Sequence, residues 1–458
     1  MLETIPSEIL DIYKKFQDAG FEIYLVGGCV RNLLLEKPVK DWDLTTNATP
    51  EEILKLFPDG FYDNKFGTVG VQAEFDKKKH IVEITTFRTE HGFSDKRRPD
   101  FVAWGKSIEE DLARRDFTTN AIALRLASLA QGKPSNLELI DPYDGQKDIK
   151  DKIIRAVGDP KQRFKEDALR LLRAIRIAIE HGFAIEEKTW KEIASDSHLI
   201  KEVSGERIRV ELLRILGSDN PYEGVILLKN SSLLSHIIPE LLEGIGISQK
   251  RPGRHHVDDV FTHNVLSLKF CPSTDSIVRF ATLIHDIGKP KVRGVDEQGL
   301  VIFHNHEIVG ARIANTICDR LKFSKKEKGR VYNLIRWHMF TVDEKITDAA
   351  VRRFIRRVGV ENVKDMMDLR IGDRLGGGTQ TAESWRLKLF KKRVEDQLKP
   401  LPFSINDLTI DGNDIMKELN IKPGPKVGEI LQKLFLEVDE NLSKNNREYL
   451  LKRIQQLD

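Results

Sequence analysis

Residues 24–44 read YLVGGCVRNLLLEKPVKDWDL. A short apolar strand over 22–26 runs into Gly27-Gly28, a helical run opens near Cys29, and Asp41 and Asp43 follow on a second strand. Side chains two apart on a strand share a face, so the spacing predicts that the two carboxylates project together. Alone they would repel. Mg²⁺ ions bridging them to a triphosphate would remove the repulsion and supply phosphoryl-transfer chemistry. The glycines let the backbone approach phosphates, and the following helix start offers N–H groups to an anion. An acidic turn beside an ordinary Gly-Gly bend has the same letters, since D-x-D is common in solvated loops. A third carboxylate weighs against that plain reading. Residues 69–87 alternate as two β-branched strands around an Asp-Lys-Lys-Lys turn, with Glu83 mid-strand among apolar neighbours, where an unpaired carboxylate is costly to bury.

The chain has 458 residues, room for about two to four domains. With 40% apolar and 32% charged residues it has the balance of a soluble protein. It has no apolar run of about 18 residues to span a membrane. The N-terminal stretch carries an early acidic residue and no apolar signal core, which predicts a cytoplasmic protein. Cys29, Cys271 and Cys318 are too few and too scattered for a disulfide framework or zinc pattern. A net charge of +3 does not by itself argue for nucleic acid, but the basic residues between Arg163 and Arg176 leave room for a phosphate-binding surface.

Strands and helices alternate up to about residue 145, and beyond Gly158 the pattern is helical, which predicts an α+β protein. Breaks are expected near 141–145, 218–221, 249–253, and 376–378 or 399–402. In RRDFTTNAIAL, from Arg114, either Arg114 or Arg115 could hold phosphates while Asp116 and Asn120 bond a ribose; a capped helix start fits the same letters. In RFKEDALRLLRAIRIA, from Arg163, helical spacing puts Arg163, Asp167 and Arg170 on one face with Arg173 and Arg176 nearby. A surface ion-pair ladder is the plain account. The chemical one is that a fixed Asp accepts from an exocyclic amino group while a fixed Arg donates to a ring nitrogen. Asp167 and Arg170 would then admit CTP and ATP and reject UTP and GTP without a nucleic-acid template.

LVGGCVRN (25–32), DWDLTTNATP (41–50), VEITTFR (82–88), RRPDFV (97–102), DLARRDFTTNA (111–121), DPYDGQKDI (141–149), RFKEDALRLLRA (163–174) and GERI (205–208) together resemble the class II tRNA nucleotidyltransferases, the CCA-adding enzymes, and their poly(A) polymerase relatives. The resemblance implies a polymerase-beta-like nucleotidyltransferase head and addition of CCA to tRNA from CTP and ATP, releasing pyrophosphate. It implies Asp41 and Asp43 as Mg²⁺ ligands, with Glu83 as a supporting catalytic carboxylate. The nucleotide would meet Gly27, Gly28, Arg31, Arg114, Asp116, Asn120, Arg163, Asp167, Arg170 and Arg173. Residues 88–100 resemble the flexible loop used in the switch to ATP. An A-adding enzyme or a poly(A) polymerase on the same scaffold stays open, as does a phosphohydrolase whose head only binds nucleotide.

Seven of the twelve histidines lie between His255 and His338. THNVL (262–266), LIHDIGKP (283–290), HNHEIVGA (304–311), WHM (337–339) and IGDR (371–374) place His285-Asp286 in an apolar helix, where both side chains need partners. His263, His285, Asp286 and Asp373 would make one metal site, with His306 and His338 supporting a second ion. Such ligands suit Ni, Mn, Co, Fe or Zn better than Mg. The pattern resembles the HD phosphohydrolases and implies an accessory phosphoesterase; on a protein that extends RNA, a 2′,3′-cyclic or phosphate-ended RNA is one expected substrate, and free nucleotides stay open as another. The expected division is 1–145 head, 146–217 helical neck, 218–250 body, 251–376 HD module and 377–458 tail. In the tail, the turn at Pro423-Gly424-Pro425, with Lys426, is a candidate tRNA contact. No protein partner is implied.

Overall fold

The computed structural model describes residues 4–62, 67–75, 77–91, 101–105, 107–126, 129–130, 133–134, 137–249, 259–398 and 404–457. The chain forms two compact units, Met1–Pro239 and Glu240–Asp458.

The first unit is built on a seven-stranded sheet. Its spatial order is Leu137–Ile140, Ala123–Leu126, Ile23–Val26, Asp43–Thr46, Lys78–Thr86, Thr68–Phe75 and Phe61–Tyr62. The central pair, Asp43–Thr46 with Lys78–Thr86, is parallel, and the remaining pairs are antiparallel. Ile23–Val26 is short and wholly apolar because it is buried on both faces. Along Lys78–Thr86, Val82, Ile84 and Thr86 turn inward and Glu83 turns outward. The Ser7–Asp18 helix covers the inner face with Ile9, Tyr13 and Phe16. The Tyr13 hydroxyl donates to Ile23 O and accepts from Leu126 N–H, tying that helix to two strands.

Four local expectations change. Asp43 opens the second strand but Asp41 lies in the bend ahead of it, because the pairing with Ile23–Val26 starts only at Leu44. Glu83 is exposed, so its mid-strand place reflects the outward face of an alternating strand rather than a buried charge. The helix expected from Arg163 onward is broken. Pro160–Glu166 ends at Asp167, whose backbone is extended and whose Oδ1 accepts the Leu169 N–H, and a new helix runs over Arg170–His181. An Asp that bonds its own following backbone competes with the helix ladder. His285-Asp286 lies just past the Ser276–Leu283 helix, in a turn.

The second unit is helical. Val260–Phe270 packs on Val363–Gly376 where Gly372 and Gly376 face Ser267 and Cys271. A Cβ at Gly376 would come 2.6 Å from Ser267 N, and one at Gly372 would come 2.5 Å from Ser267 O. Only glycines allow this approach, and it brings His263 to Asp373. Near the C-terminus, Gly412–Leu419, Pro425–Glu440 and Arg447–Leu457 share a small core around Ile415, Leu434 and Leu450. The turn expected at 423–425 is present, with Asn420 ending one helix in the left-handed region and Pro425 opening the next. No helix among the described residues is long and apolar enough to cross a membrane.

Candidate functional site

In the first unit Asp43 and Glu83 are register partners on adjacent parallel strands, so their side chains leave the same face of the sheet. Asp41 stands two residues ahead. Burial pushes the Asp43 carboxyl up to about 6; Arg115 opposes this, and Glu83 and Asp41 add to it. An all-oxygen donor set held under mutual repulsion suits a hard cation such as Mg²⁺.

Gly27 bends the chain between the first strand and the Gly28–Leu34 helix at φ 74°. A Cβ there would sit 2.9 Å from Arg115 Nη1 and 3.5 Å from Asp43 Oδ2. Gly27, Asp43 and Arg115 therefore meet at one point. Arg114 turns away and donates through Nε and Nη2 to Asp111 Oδ1, while Arg115 Nη2 donates to Asp111 Oδ2. Of the two arginines that the sequence left interchangeable, Arg115 faces the carboxylates.

Behind them runs a buried chain of polar groups. Arg31 donates to Asn120 Oδ1, Asn120 Nδ2 donates to Asp116 Oδ1 at 2.9 Å, and Arg173 Nε donates to Asp116 Oδ2 at 2.7 Å. Burial would raise the Asp116 carboxyl, yet the Arg173 guanidinium holds it well below its ordinary range. Asp116 and Asn120, expected at a ribose, are braced here by protein partners. The Thr118 N–H to Arg155 O and Val157 N–H to Asp116 O bonds pin this segment to the one that leads into the helical region.

Asp167 and Arg170, expected as a pair reading the base edge, point to other partners. Asp167 accepts Arg207 Nη1 at 3.2 Å and Nη2 at 2.7 Å. Arg170 donates to Glu166 Oε2, Arg163 O and Arg114 O. Arg163 donates to Val157 O and Glu166 Oε2. Arg207, forty residues beyond Asp167, lies in the GERI motif at 205–208, but no spacing in the sequence pairs it with Asp167.

In the second unit His263, His285, Asp286, His306, His338 and Asp373 converge. Asp286 is the hub: Oδ2 lies 3.1 Å from His263 Nε2 and 3.3 Å from His285 Nε2. Its Oδ1 lies 3.2 Å from His306 Nε2 and 3.6 Å from His338 Nε2. Asp373 Oδ1 is 3.3 Å from His263 Nε2. His263, His285 and Asp286 form one set of donors within 4.8 Å, and Asp286, His306 and His338 another, all buried.

The imidazole tautomers test whether metals fit. Nδ1 of His285, His306 and His338 lies 2.7–2.8 Å from the carbonyls of Thr282, Phe303 and Ile335. A carbonyl only accepts, so each Nδ1 donates and a neutral ring turns a lone pair inward from Nε2. Yet the His263 and His285 Nε2 atoms face each other at 3.2 Å, and those of His306 and His338 at 3.3 Å. At His306 and His338, where both Nδ1 atoms donate to carbonyls, the opposed Nε2 lone pairs fit a bound cation; among the described residues His263 Nδ1 has no such carbonyl partner. The nitrogen and carboxylate donors suit a transition ion over Mg²⁺. Lys289, which the sequence reading did not single out, bonds Asp286 Oδ2 and Gln249 Oε1.

Comparison with known proteins places these residues in a family. Residues 23–155 match the model of the Poly A polymerase head domain, 182–244 that of the RNA and SrmB-binding site of polymerase A, and 300–454 that of tRNA nucleotidyltransferase domain 2. The CCA-adding enzyme of Ligilactobacillus salivarius is 31% identical, over 100% of this chain and 98% of that protein. That of Limosilactobacillus reuteri is 30% identical over 97% of this chain and 95% of its own length. The crystal structure of the Bacillus stearothermophilus CCA-adding enzyme in complex with CTP superposes with a TM-score of 0.69 at 25% identity, covering 99% of this chain and 98% of that one. With relatives 30–31% identical over nearly the whole of both chains, the chain belongs to the CCA-adding enzymes, the tRNA nucleotidyltransferases.

Proposed function

We propose that this protein adds C, C and A to tRNA 3′ ends from CTP and ATP, in the cytoplasm, with no nucleic-acid template. The observation that carries the reading is the register of Asp43 against Glu83, with Asp41 alongside and Arg115 at Gly27. The RNA 3′ oxygen attacks the nucleotide α-phosphorus, a new P–O bond forms, and the α–β bridging bond breaks to release pyrophosphate. Asp41 and Asp43, with Glu83 supporting, would hold Mg²⁺, which would supply charge neutralisation at the reacting phosphate. Arg115 balances charge beside the triphosphate, and Gly27 and Gly28 leave room for it. Arg31, Asn120, Asp116 and Arg173 form a rigid brace at the nucleotide, fixing its position before reaction. Arg114 stiffens the approach through Asp111.

Asp167 and Arg170 remain the proposed base readers, with Arg163 beside them. Asp167 Oδ1 accepts Arg207 and the Leu169 N–H, while Oδ2 accepts, among the described residues, Arg207 alone and keeps a lone pair for a base amino group. The tRNA is recognised by backbone and shape, as expected for a duplex with a narrow major groove. The division into head to 145, neck to 217, body to 250, HD module to 376 and tail to 458 is retained as part of this reading, with the turn at 423–425 a candidate tRNA contact. The loop proposed at 88–100 falls largely on residues outside those described; Arg88–His91 pairs with Phe101–Trp104 at its base.

The histidine cluster supports a second activity, hydrolysis of a phosphoester such as a 2′,3′-cyclic or phosphate-ended RNA. That would free the hydroxyl the head needs. A transition ion bound there would polarise the phosphate. The test of the primary reading is 3′-end sequencing after incubation of tRNAs ending at the discriminator base, at C and at CC with CTP, ATP or both. Completion to CCA followed by arrest supports it. Addition of A alone to the CC-ended tRNA would mean an A-adding enzyme, and long A tails a poly(A) polymerase.

A further inference from the structure

Asp43 and Glu83 belong to a row that crosses four strands. Asp43 is the register partner of Glu83, Glu83 of Gly70, and Gly70 of Phe61. Register partners leave the sheet on one face, so Phe61, on the edge strand Phe61–Tyr62, stands on the face that carries both carboxylates. Gly70 has no side chain, and the Phe61 ring occupies its place. A Cβ there would lie 2.5 Å from Phe61 Cζ and 2.9 Å from each Cε carbon. Flanking carbons that are equally distant, and only slightly farther than the one between them, mean an approach along the ring normal. The ring therefore lies face-down on the glycine. Its other face is turned to solvent, and the side chain is 39% exposed. Ile81, two residues before Glu83 on the same face, is exposed as well. Covering a sheet glycine with an aromatic ring accounts for the inner ring face. It leaves the outer face in water beside the reaction centre.

We infer that the outer face of the Phe61 ring is the platform on which the last base of the RNA 3′ end stacks, so that Phe61 binds the RNA and not the incoming nucleotide. The inference rests on the nucleotide-addition reading and names where the second substrate sits. Gly27, with Arg115 against it, follows Ile23–Val26, the strand that flanks Asp43–Thr46 on the side away from Glu83. A triphosphate held there releases its pyrophosphate on that side. Attacking and leaving oxygens lie roughly in line across the phosphorus, so the 3′ oxygen comes from the opposite side, past Glu83. Gly70 and Phe61 are the next two positions in that direction. The terminal base of the RNA changes as addition proceeds, so its site has to accept whichever base is last. Hydrogen bonds to base edges would discriminate among ends. Stacking on an aromatic face is tolerant, because every base has a π-face.

The test uses the full-length protein with Mg²⁺, ATP and two tRNAs ending in CC, one normal and one whose last nucleotide is an abasic ribose with a free 3′ hydroxyl. Wild-type kcat/KM for the RNA should fall about tenfold on the abasic end. Phe61→Leu, which keeps apolar cover over Gly70, should lose about as much on the normal tRNA and little more on the abasic one, because both changes remove one contact. Phe61→Trp should restore addition to the normal tRNA. Tyr62→Leu, at a side chain 46% exposed but on the opposite face with Val69, should match wild type on both RNAs. The KM for ATP at saturating RNA should not move in Phe61→Leu. Unchanged addition by Phe61→Leu, or equal losses on the two RNAs, would overturn the inference and leave the ring as cover for Gly70. A rise confined to the KM for ATP would also overturn it, by moving the ring to the incoming nucleotide. In each of these cases wild-type addition to the normal tRNA keeps the nucleotide-addition reading. A wild-type protein that adds nothing to it would remove that reading and the inference together.

Discussion

Arg207 holds Asp167 through two parallel hydrogen bonds, Nη1 to Oδ1 and Nη2 to Oδ2, across forty residues of chain. Both side chains are largely but not fully covered. A fork-to-fork pair of this kind fixes the plane of the carboxylate as well as its charge. Arg207 is thus a positioning residue for the proposed base reader. In Arg207→Ala, discrimination of CTP over UTP should fall about tenfold, with kcat for CTP little changed. Arg207→Lys should restore charge but not the plane, and only part of the selectivity. The ratio of kcat/KM values for the two nucleotides is the measurement; an unchanged ratio in Arg207→Ala would separate Asp167 from base choice.

Asp41→Ala and Asp43→Asn should abolish nucleotide addition and leave tRNA affinity near wild type, because neither change removes a basic side chain. Filter binding beside single-turnover assays separates the two effects. Residual addition within about tenfold of wild type would take these carboxylates out of the reaction.

Asp43 also makes a pH prediction. Its native carboxyl lies at about 6, above the ordinary 3.8, chiefly through burial. The native chain then binds that proton more tightly than the unfolded chain, so its contribution to stability falls as pH rises from 3.8 through 6 and stays low above that. In EDTA at pH 7.5, Asp43→Asn should melt higher than wild type; relief of about 1 kcal/mol is roughly 2–4 °C for a unit of this size. The gap should close toward pH 4. Mg²⁺ should raise the wild-type melting temperature and leave the variant unmoved. Equal melting at both pH values would mean that the carboxylate is not strained.

Gly27→Ala places a Cβ 2.9 Å from Arg115 Nη1 at a backbone angle of φ 74°. Displacement of Arg115 and backbone strain of about 1–3 kcal/mol should slow addition by about tenfold or more while the protein still folds. Circular dichroism and single-turnover rates check this. A fully active, unshifted variant would show that the close approach is not needed.

Asp286→Asn retains the shape of the hub but removes the charge that faces four imidazoles and Lys289. Transition-metal content by elemental analysis should fall sharply, and any phosphoesterase activity with it. Addition of CCA should continue at the wild-type rate, since Asp286 belongs to the second unit and the addition residues to the first. Full metal loading in this variant would exclude Asp286 as a ligand.

The residues of the two centres were legible in one dimension because each is carried by short-range pattern. A Gly-Gly bend, a D-x-D spacing and an alternating hairpin are set by backbone geometry within a few residues, and His-Asp within an apolar run stands out because buried polar groups need partners. Family membership was legible for the same reason, since the motifs are local and dense. The broken helix at Asp167 was not, because i, i+4 spacing continues through a break that a side-chain bond to backbone creates. Nor was the preference for Arg115 over Arg114, which depends on where Gly27 and Asp111 lie in space. Only the tertiary structure joined Asp43 to Glu83 by strand register, Asp167 to Arg207, and His263 to Asp373 across a glycine-lined helix contact. Sequence spacing encodes which face of an element a side chain takes, whereas partners from distant elements are chosen by packing that no local pattern records.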